Sequence, residues 1–323
     1  MKSTSVRFDA TKVSRAPAMQ KLAITVLAGG PGGEREVSLE SGKGVSEALR
    51  SLGHEVHCED IGPDNLGALA RQVDCVFIAL HGKFGEDGEV QAILERRGLP
   101  YIGSGPEACA LAMDKARAKA KFAEMGIPTP RYAVAAPQNL REALAAWSLP
   151  LVVKPVREGS SLNCLIIEDV AQLRPAVQGL IQEYGDCLIE EYIPGKEITV
   201  GILGDMALPP IEIRTKRQFY DYTAKYVDND TEYDFDIHLP EGLLVDVEAM
   251  SLRAHQGLGC RDFSRVDWRV DDRDGKPCLL EVNVIPGLTS HSLLPKAAAR
   301  AGLAMPQMCQ FLVDLAMKRK FTR

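Results

Sequence analysis

Residues Leu22–Gly42 read LAITVLAGGPGGEREVSLESG. The apolar run 22–28 predicts a buried strand. Four glycines and a proline break it, and apolar residues then return at helical spacing until Gly53. HEVHCED (54–60) predicts a second strand and DCVFIAL (74–80) a third. EVQAILERRG predicts a helix closed by Gly98, and PYIGS a short strand. Strands alternating with helices predict a parallel sheet with helices on its faces, an α/β unit over residues 20–114.

The pattern then changes. MDKARAKAKFAEMG (113–126) predicts a helix ended by Gly126, and LPLVVKPVREGSS (149–161) a strand entering a glycine-serine turn. CLIIED and a helix follow. DCLIEEYIPGKEITVGIL (186–203) then reads as an apolar strand pair turning at Pro194–Gly195. Short connections predict an antiparallel α+β unit over 115–205. The mixed remainder, 206–323, contains DFSRVDWRVDDRDGKPCLLEVNVIPG, two strands around Asp274–Gly275, and a closing helix. Residues 1–19 are polar and aperiodic and lack the apolar core of a signal peptide; they read as a disordered tail, with Met19 a second candidate start.

At 323 residues, 46% hydrophobic and 25% charged, the chain has room for two or three domains. A net charge of −6 and the lack of a basic block argue against a nucleic-acid partner, and no apolar run is long enough for a membrane span. Eight cysteines, none paired as C-x-x-C, fit a reduced, cytoplasmic protein.

Three stretches carry chemistry. The opening turn fits only half of the dinucleotide fingerprint: Gly30-Pro31-Gly32 is present, but Arg35 replaces the last glycine. This disfavours an NAD-dependent dehydrogenase, and SGKG (41–44) is no Walker loop. Glu34 and Glu36 would repel an anion at the helix start. Glu34 either meets a small cation, such as a substrate ammonium, or caps its own helix; the residues leave both open. In VVKPVREGSS (152–161), Lys154, Arg157, Gly159, Ser160 and Ser161 suit phosphate oxygens, the alternative being a solvated lysine. Asp267 lies in one strand, and Glu281 and Asn283 at i and i+2 in the next. They form an oxygen-only set suited to magnesium on nucleotide phosphates, the alternative being three solvated polar residues. RAKAKFAE (117–124) reads as a solvated helix face, His238 and His255 as solvated or packed, and Trp147 and Trp268 as packing residues.

GGPGGEREVSLESG, ALHGKFGEDG, LPYIGSG, MDKARAK, VKPVREGSS, FYDYTAKY and EVNVIPGLTSHSLLP follow one another over most of 22–300. In that order and spacing the sequence resembles the D-alanine–D-alanine ligase family of the ATP-grasp superfamily. The resemblance implies a three-domain ATP-grasp fold: an N-terminal parallel α/β domain, then two α+β domains clasping ATP. It implies ATP-dependent joining of two D-alanines through an acyl phosphate for peptidoglycan precursor synthesis, two magnesium ions (manganese as a substitute) and a homodimer.

By the same resemblance Glu34 holds the first D-alanine's ammonium, with Ser160 and Tyr226 closing a lid (215–235) over it. Lys115 and Lys154 contact ATP phosphates, and Lys225 the transferred one. Glu190 and the backbone near Ile193 contact adenine, and Glu197 the ribose. Asp267, Glu281 and Asn283 hold the metals. Arg265 and the Gly287 N–H stabilise the oxyanion. Ser292 binds the second carboxylate, with His81 nearby. Lys225 and Tyr226 favour an amine as second substrate. A sister ligase making D-alanyl-D-serine, and a non-catalytic nucleotide-binding homologue, are the alternatives. The sequence departs from the family pattern at Val284, where threonine is usual, and at Leu162-Asn163, where valine-glycine is usual.

Overall fold

The structure, a computed structural model, describes residues 20–145, 147–215 and 231–319. Lys225, Tyr226, most of the expected lid and the expected tail lie outside the described residues.

Strand β1 (Ala23–Gly29) is hydrogen-bonded in parallel to β2 (Glu55–Ile61) on one side and β3 (Cys75–Ile78) on the other. The short β4 (Tyr101–Ile102) completes the order β2-β1-β3-β4. Helix α1 (Arg35–Ser51) lies on this sheet through buried Val37, Val45 and Leu49. At Gly42 the helix approaches so closely that a Cβ would sit 2.5 Å from Ala28 Cβ. Helix α2 (Glu89–Arg96) follows as expected, whereas α3 (Pro106–Met113), with proline in its first turn, escapes the sequence reading. Helix α4 (Lys115–Glu124) is capped by Asp114, whose carboxylate accepts the Arg117 N–H at 3.0 Å.

The chain then forms an antiparallel sheet. Its strands are β5 (Tyr132–Ala135), β6 (Leu151–Pro155), β7 (Leu165–Ile167) and β8 (Cys187–Glu191), in the order β5-β8-β6-β7. Helix α5 (Leu140–Ala143) is short, and α6 (Val170–Tyr184) covers one face. This unit has its own apolar core, in which Leu151 and Val153 meet Val177, Cys187 and Ile189.

One expectation fails here. Strand β9 (Gly195–Leu203) is not the hairpin partner of β8. It pairs instead with β11 (Ile211–Arg214) and with β13 (Phe263–Asp271), so the chain changes sheet at Pro194. Two apolar strands with a short connection look like a hairpin in sequence. What differs is their partner: Gly195, at φ 114°, lies against the β13 backbone, where a Cβ would run into the Val270 carbonyl.

This third sheet runs β12-β11-β9-β13-β14, with β10 (Met206–Ala207) beside β9. Its edge strand β12 (Glu232–Asp234) is the end of the segment read as a lid. Strand β14 (Pro277–Asn283) closes the other edge. Helices α7 (Leu243–Gly257), α8 (Leu293–Arg300) and α9 (Met305–Lys318) complete the fold. The first and third sheets share one continuous apolar core, separate from that of the middle sheet. Among the described residues no helix is long and apolar enough to cross a membrane, and all eight cysteines are free thiols.

Candidate active site

Strands β13 and β14 bring the expected oxygen ligands together. Asp267 lies directly opposite Glu281, and Arg265 opposite Asn283. The ladder skips Leu280, a β-bulge that lets Leu280 and Glu281 both face a cleft while Leu279 stays in the core with Trp268. Arg265 donates to Asp267 through Nε at 2.9 Å and Nη2 at 2.7 Å, and Thr199 Oγ1 donates to the same carboxylate at 2.6 Å.

That cleft lies between the middle and third sheets, walled by Lys154, Glu190, Ile193, Glu197, Asp267 and Glu281. Lys154 is not a solvated lysine: its side chain is 12% exposed and its Nζ lies 2.8 Å from Glu190 Oε2. Glu190 is 2% exposed and takes a second ammonium, that of Lys119, at 2.8 Å on Oε1. Burial alone would raise its carboxyl, but the two lysines hold it below the usual carboxylate range. An isolated carboxylate there would cost several kcal/mol, so these charges belong together. Burial pulls Lys119 down to about 8; burial lowers Lys154 as well, but there the Glu190 charge outweighs it and the ammonium stands at about 12. The reading of 117–124 as a solvated face holds for Arg117, Ala120, Ala123 and Glu124, which are exposed, but fails for Lys119, which is buried with Ala118 and Phe122 on the opposite side. Glu197 pairs with Arg269 at 3.2 Å, and Arg269 Nε donates to the Ile193 carbonyl at 3.1 Å.

A second cleft is walled by Glu34, Glu86, Lys115, Ser160, Arg265 and Asn283. Glu34 occupies the N-cap position of α1 but makes no capping bond. Its buried carboxylate instead accepts the Ser160 hydroxyl, with Gly82 and Gly159 beside it. A Cβ on either glycine would meet Glu34 Oε2, at 2.9 and 2.8 Å. Of the two readings, capping is thus the one the geometry removes. Arg35, which broke the dinucleotide pattern, clamps the turn by binding the Gly30 carbonyl and Asp60.

Glu86 carries no signal in the sequence, where GEDG reads as an ordinary turn. It is 7% exposed and accepts the Gly82 N–H at 2.6 Å. Burial first, then the Glu34 charge, push its carboxyl up to about 8. Glu86 is therefore a neutral acid at neutral pH.

The two clefts meet, because Lys115, Glu158 and Glu281 wall both. Lys115 Nζ donates to the Glu158 carbonyl and lies 3.5 Å from Glu281 Oε2. Arg157 does not join them. It is held by Asp114 at 2.9 Å and Asp186 at 3.1 Å, which corrects its reading as a phosphate ligand. The loop itself is wound tightly: Ser160, Ser161 and Asn163 all have φ near +50°. Asn163, standing where glycine is usual, tolerates that conformation and donates to Tyr184 Oη at 2.5 Å. Leu162 reaches towards Gly33 of the opening turn, and Val284 is buried at the second cleft.

Beyond β14, His81 and Ser41 hold the loop. A carbonyl can only accept, so His81 Nδ1–H donates to Ile285 O at 3.1 Å. Burial holds this imidazole below its ordinary range, so Nε2 accepts from the Ser41 hydroxyl at 3.1 Å. Ser41 Oγ in turn accepts the Leu288 N–H at 3.2 Å. Gly287 sits on this loop, where a Cβ would lie 2.6 Å from Ser292 Oγ. Ser292 Oγ accepts the Thr289 N–H at 3.0 Å. Gly287, Ser292 and His81 are not among the residues walling the two clefts.

Two adjoining clefts, one with buried lysines and hard oxygen ligands and one with a buried carboxylate, can bring a nucleotide phosphate to a small amino acid. Comparison with known proteins agrees. Residues 122–314 match the family described as D-ala D-ala ligase C-terminus, and residues 60–104 match D-ala D-ala ligase N-terminus. The chain is similar to the D-alanine–D-alanine ligase of Anaeromyxobacter sp. (strain Fw109-5), with 43% identity covering 90% of this chain and 96% of that one. It is similar to the solved D-alanine–D-alanine ligase from Bacillus anthracis complexed with ATP, with a TM-score of 0.78 and 31% identity over 92% and 98% of the two chains. It is also similar to the VanG D-Ala:D-Ser ligase from Enterococcus faecalis, with a TM-score of 0.81 and 29% identity over 92% and 100%. With matching residues, matching length and matching fold, the chain belongs to the D-alanine–D-alanine ligase family.

Proposed function

We propose that this chain joins two D-alanines with ATP, forming D-alanyl-D-alanine, ADP and phosphate for peptidoglycan precursor synthesis in the cytoplasm. The observation that carries this reading is the meeting of the two clefts at Lys115 and Glu281. ATP occupies the cleft of Lys154, Glu190, Ile193 and Glu197. The first D-alanine lies with its ammonium at Glu34, aligned by Ser160. Its carboxylate oxygen attacks the γ-phosphorus and ADP leaves, with Lys115, Lys154 and Lys225 balancing the phosphate charge.

Asp267, Glu281 and Asn283 fit a hard divalent cation, being oxygen donors from paired strands at the junction; they would hold magnesium. Held there, magnesium would supply positive charge to screen the phosphates. The second D-alanine, with its carboxylate at Ser292 near His81, then attacks the acyl carbon through its amine. The tetrahedral oxyanion faces Arg265 and the Gly287 N–H, phosphate departs and the amine loses a proton. Tyr226 closes the lid against water. Arg265 being held by Asp267 supports this role, since a donor fixed beforehand needs no reorganisation. Three parts clasping ATP, and a homodimer, complete the proposal.

The decisive test measures ADP release with ATP, D-alanine and a panel of second substrates: D-alanine, D-serine and D-lactate. Turnover led by D-alanine is expected. Preference for D-serine would make the chain a sister ligase, and no D-alanine-dependent ADP release would overturn the catalytic reading.

A further inference from the structure

The nucleotide cleft rests on a buried charge cluster in which one member, Lys119, is not itself among the residues walling the cleft. Glu190 sits on the central strand β8, diagonal to Lys154 on β6 and opposite Tyr132 on β5. Lys119 comes down onto that face from α4. Its side chain has 0% exposure, and its Nζ lies 2.8 Å from Glu190 Oε1 and 5.9 Å from the Tyr132 ring centre. It also donates to Thr129 Oγ1 at 2.7 Å, and Thr129 donates onward to the Leu279 carbonyl at 2.8 Å. Leu279 lies two residues before Glu281 on β14. One ammonium thus links the middle sheet, α4 and the strand that bears Glu281.

We propose that Lys119 is a positioning residue for the nucleotide: it shares Glu190 with Lys154, so that the cluster keeps one surplus positive charge, presented by Lys154 to the phosphates. Two ammoniums on one carboxylate leave that surplus. Lys119 is sealed from the cleft while Lys154 lines it, so the surplus faces the ligand. Without Lys119, Glu190 and Lys154, already 2.8 Å apart, are left as a neutral pair, and no surplus positive charge remains for the phosphates. The inference rests on the nucleotide site of the proposed function.

The test compares wild-type protein with Lys119→Gln, nearly isosteric and uncharged, and Lys119→Met, in which Glu190 still has Lys154. Calorimetric ADP binding is measured without D-alanine, and KM for ATP and for D-alanine in turnover. Folding is followed by the thermal midpoint without nucleotide. Both variants are expected to bind ADP about 10-fold more weakly and to raise KM for ATP similarly, with KM for D-alanine within about twofold of wild type. Unchanged ADP affinity in a folded variant, or ATP and D-alanine KM rising together, overturns the proposal. Should neither variant fold, Thr129→Val, which releases Lys119 from β14 and keeps every charge, is expected to bind ADP within about twofold of wild type; a loss of about 10-fold would make the link to β14, not the shared charge, the determinant and overturn the proposal. If the wild type binds ADP but shows no D-alanine-dependent turnover, the ligase reading falls while the binding comparison still decides Lys119.

Discussion

At the scale of single residues, position in sequence and role in space part company most clearly at Glu34. An acid at the first residues of a helix ordinarily serves that helix. Here the N-cap makes no side-chain bond, and the carboxylate turns to Ser160, contributed by a loop 126 residues away. The prediction is specific: Glu34→Gln keeps the Ser160 contact but removes the charge, and KM for the first D-alanine rises about 100-fold while KM for ATP moves less than about threefold. Steady-state kinetics with each substrate varied checks this, and equal effects on both would remove the ammonium role. Lys119 shows the converse. KARAKAKFAE looks like a wet helix face because four of its ten residues are cations, yet burial depends on which neighbour covers the helix.

At the scale of elements, the deciding feature is how β8 hands over to β9. The apolar run through Pro194–Gly195 has the periodicity of two strands, and both strands exist. Their pairing is non-local, and the crossing requires Gly195, which alone among residue types fits against the Val270 carbonyl at φ 114°. Gly195→Ala should therefore cost about 2 kcal/mol or more from strain and overpacking, measured as a lowered urea midpoint. An unchanged midpoint would mean the crossing tolerates a side chain. The β14 bulge works at the same scale. Spacing of i and i+2 correctly put Glu281 and Asn283 on one strand, but the extra residue Leu280 turns Glu281 into the cleft, and a bulge leaves no mark in a pattern of apolar and polar residues.

At the scale of the whole molecule, folding closes a small-ligand site around acids that would otherwise stay in water. Glu86 measures the cost. Its folded carboxyl, at about 8, lies above the unfolded value, so the native state binds the extra proton. That contribution is full below the unfolded carboxylate range and is lost as pH rises through about 8. Glu86→Gln mimics the protonated acid. The variant's thermal midpoint should fall less than that of wild type between pH 5 and 8, by a few degrees; parallel curves would exclude Glu86 as the source. By itself the sequence determined the alternation of strands and helices in the first unit, the β13–β14 hairpin around Asp274–Gly275 and the family, since periodicity, turn residues and motif order are local or linear properties. Only the tertiary structure decided the partner of β9, the burial of Lys119, the neutral Glu86 and the turning of Glu34 towards Ser160. Each of these depends on the dielectric, the charges and the backbone brought close by distant parts of the chain, which no local pattern encodes.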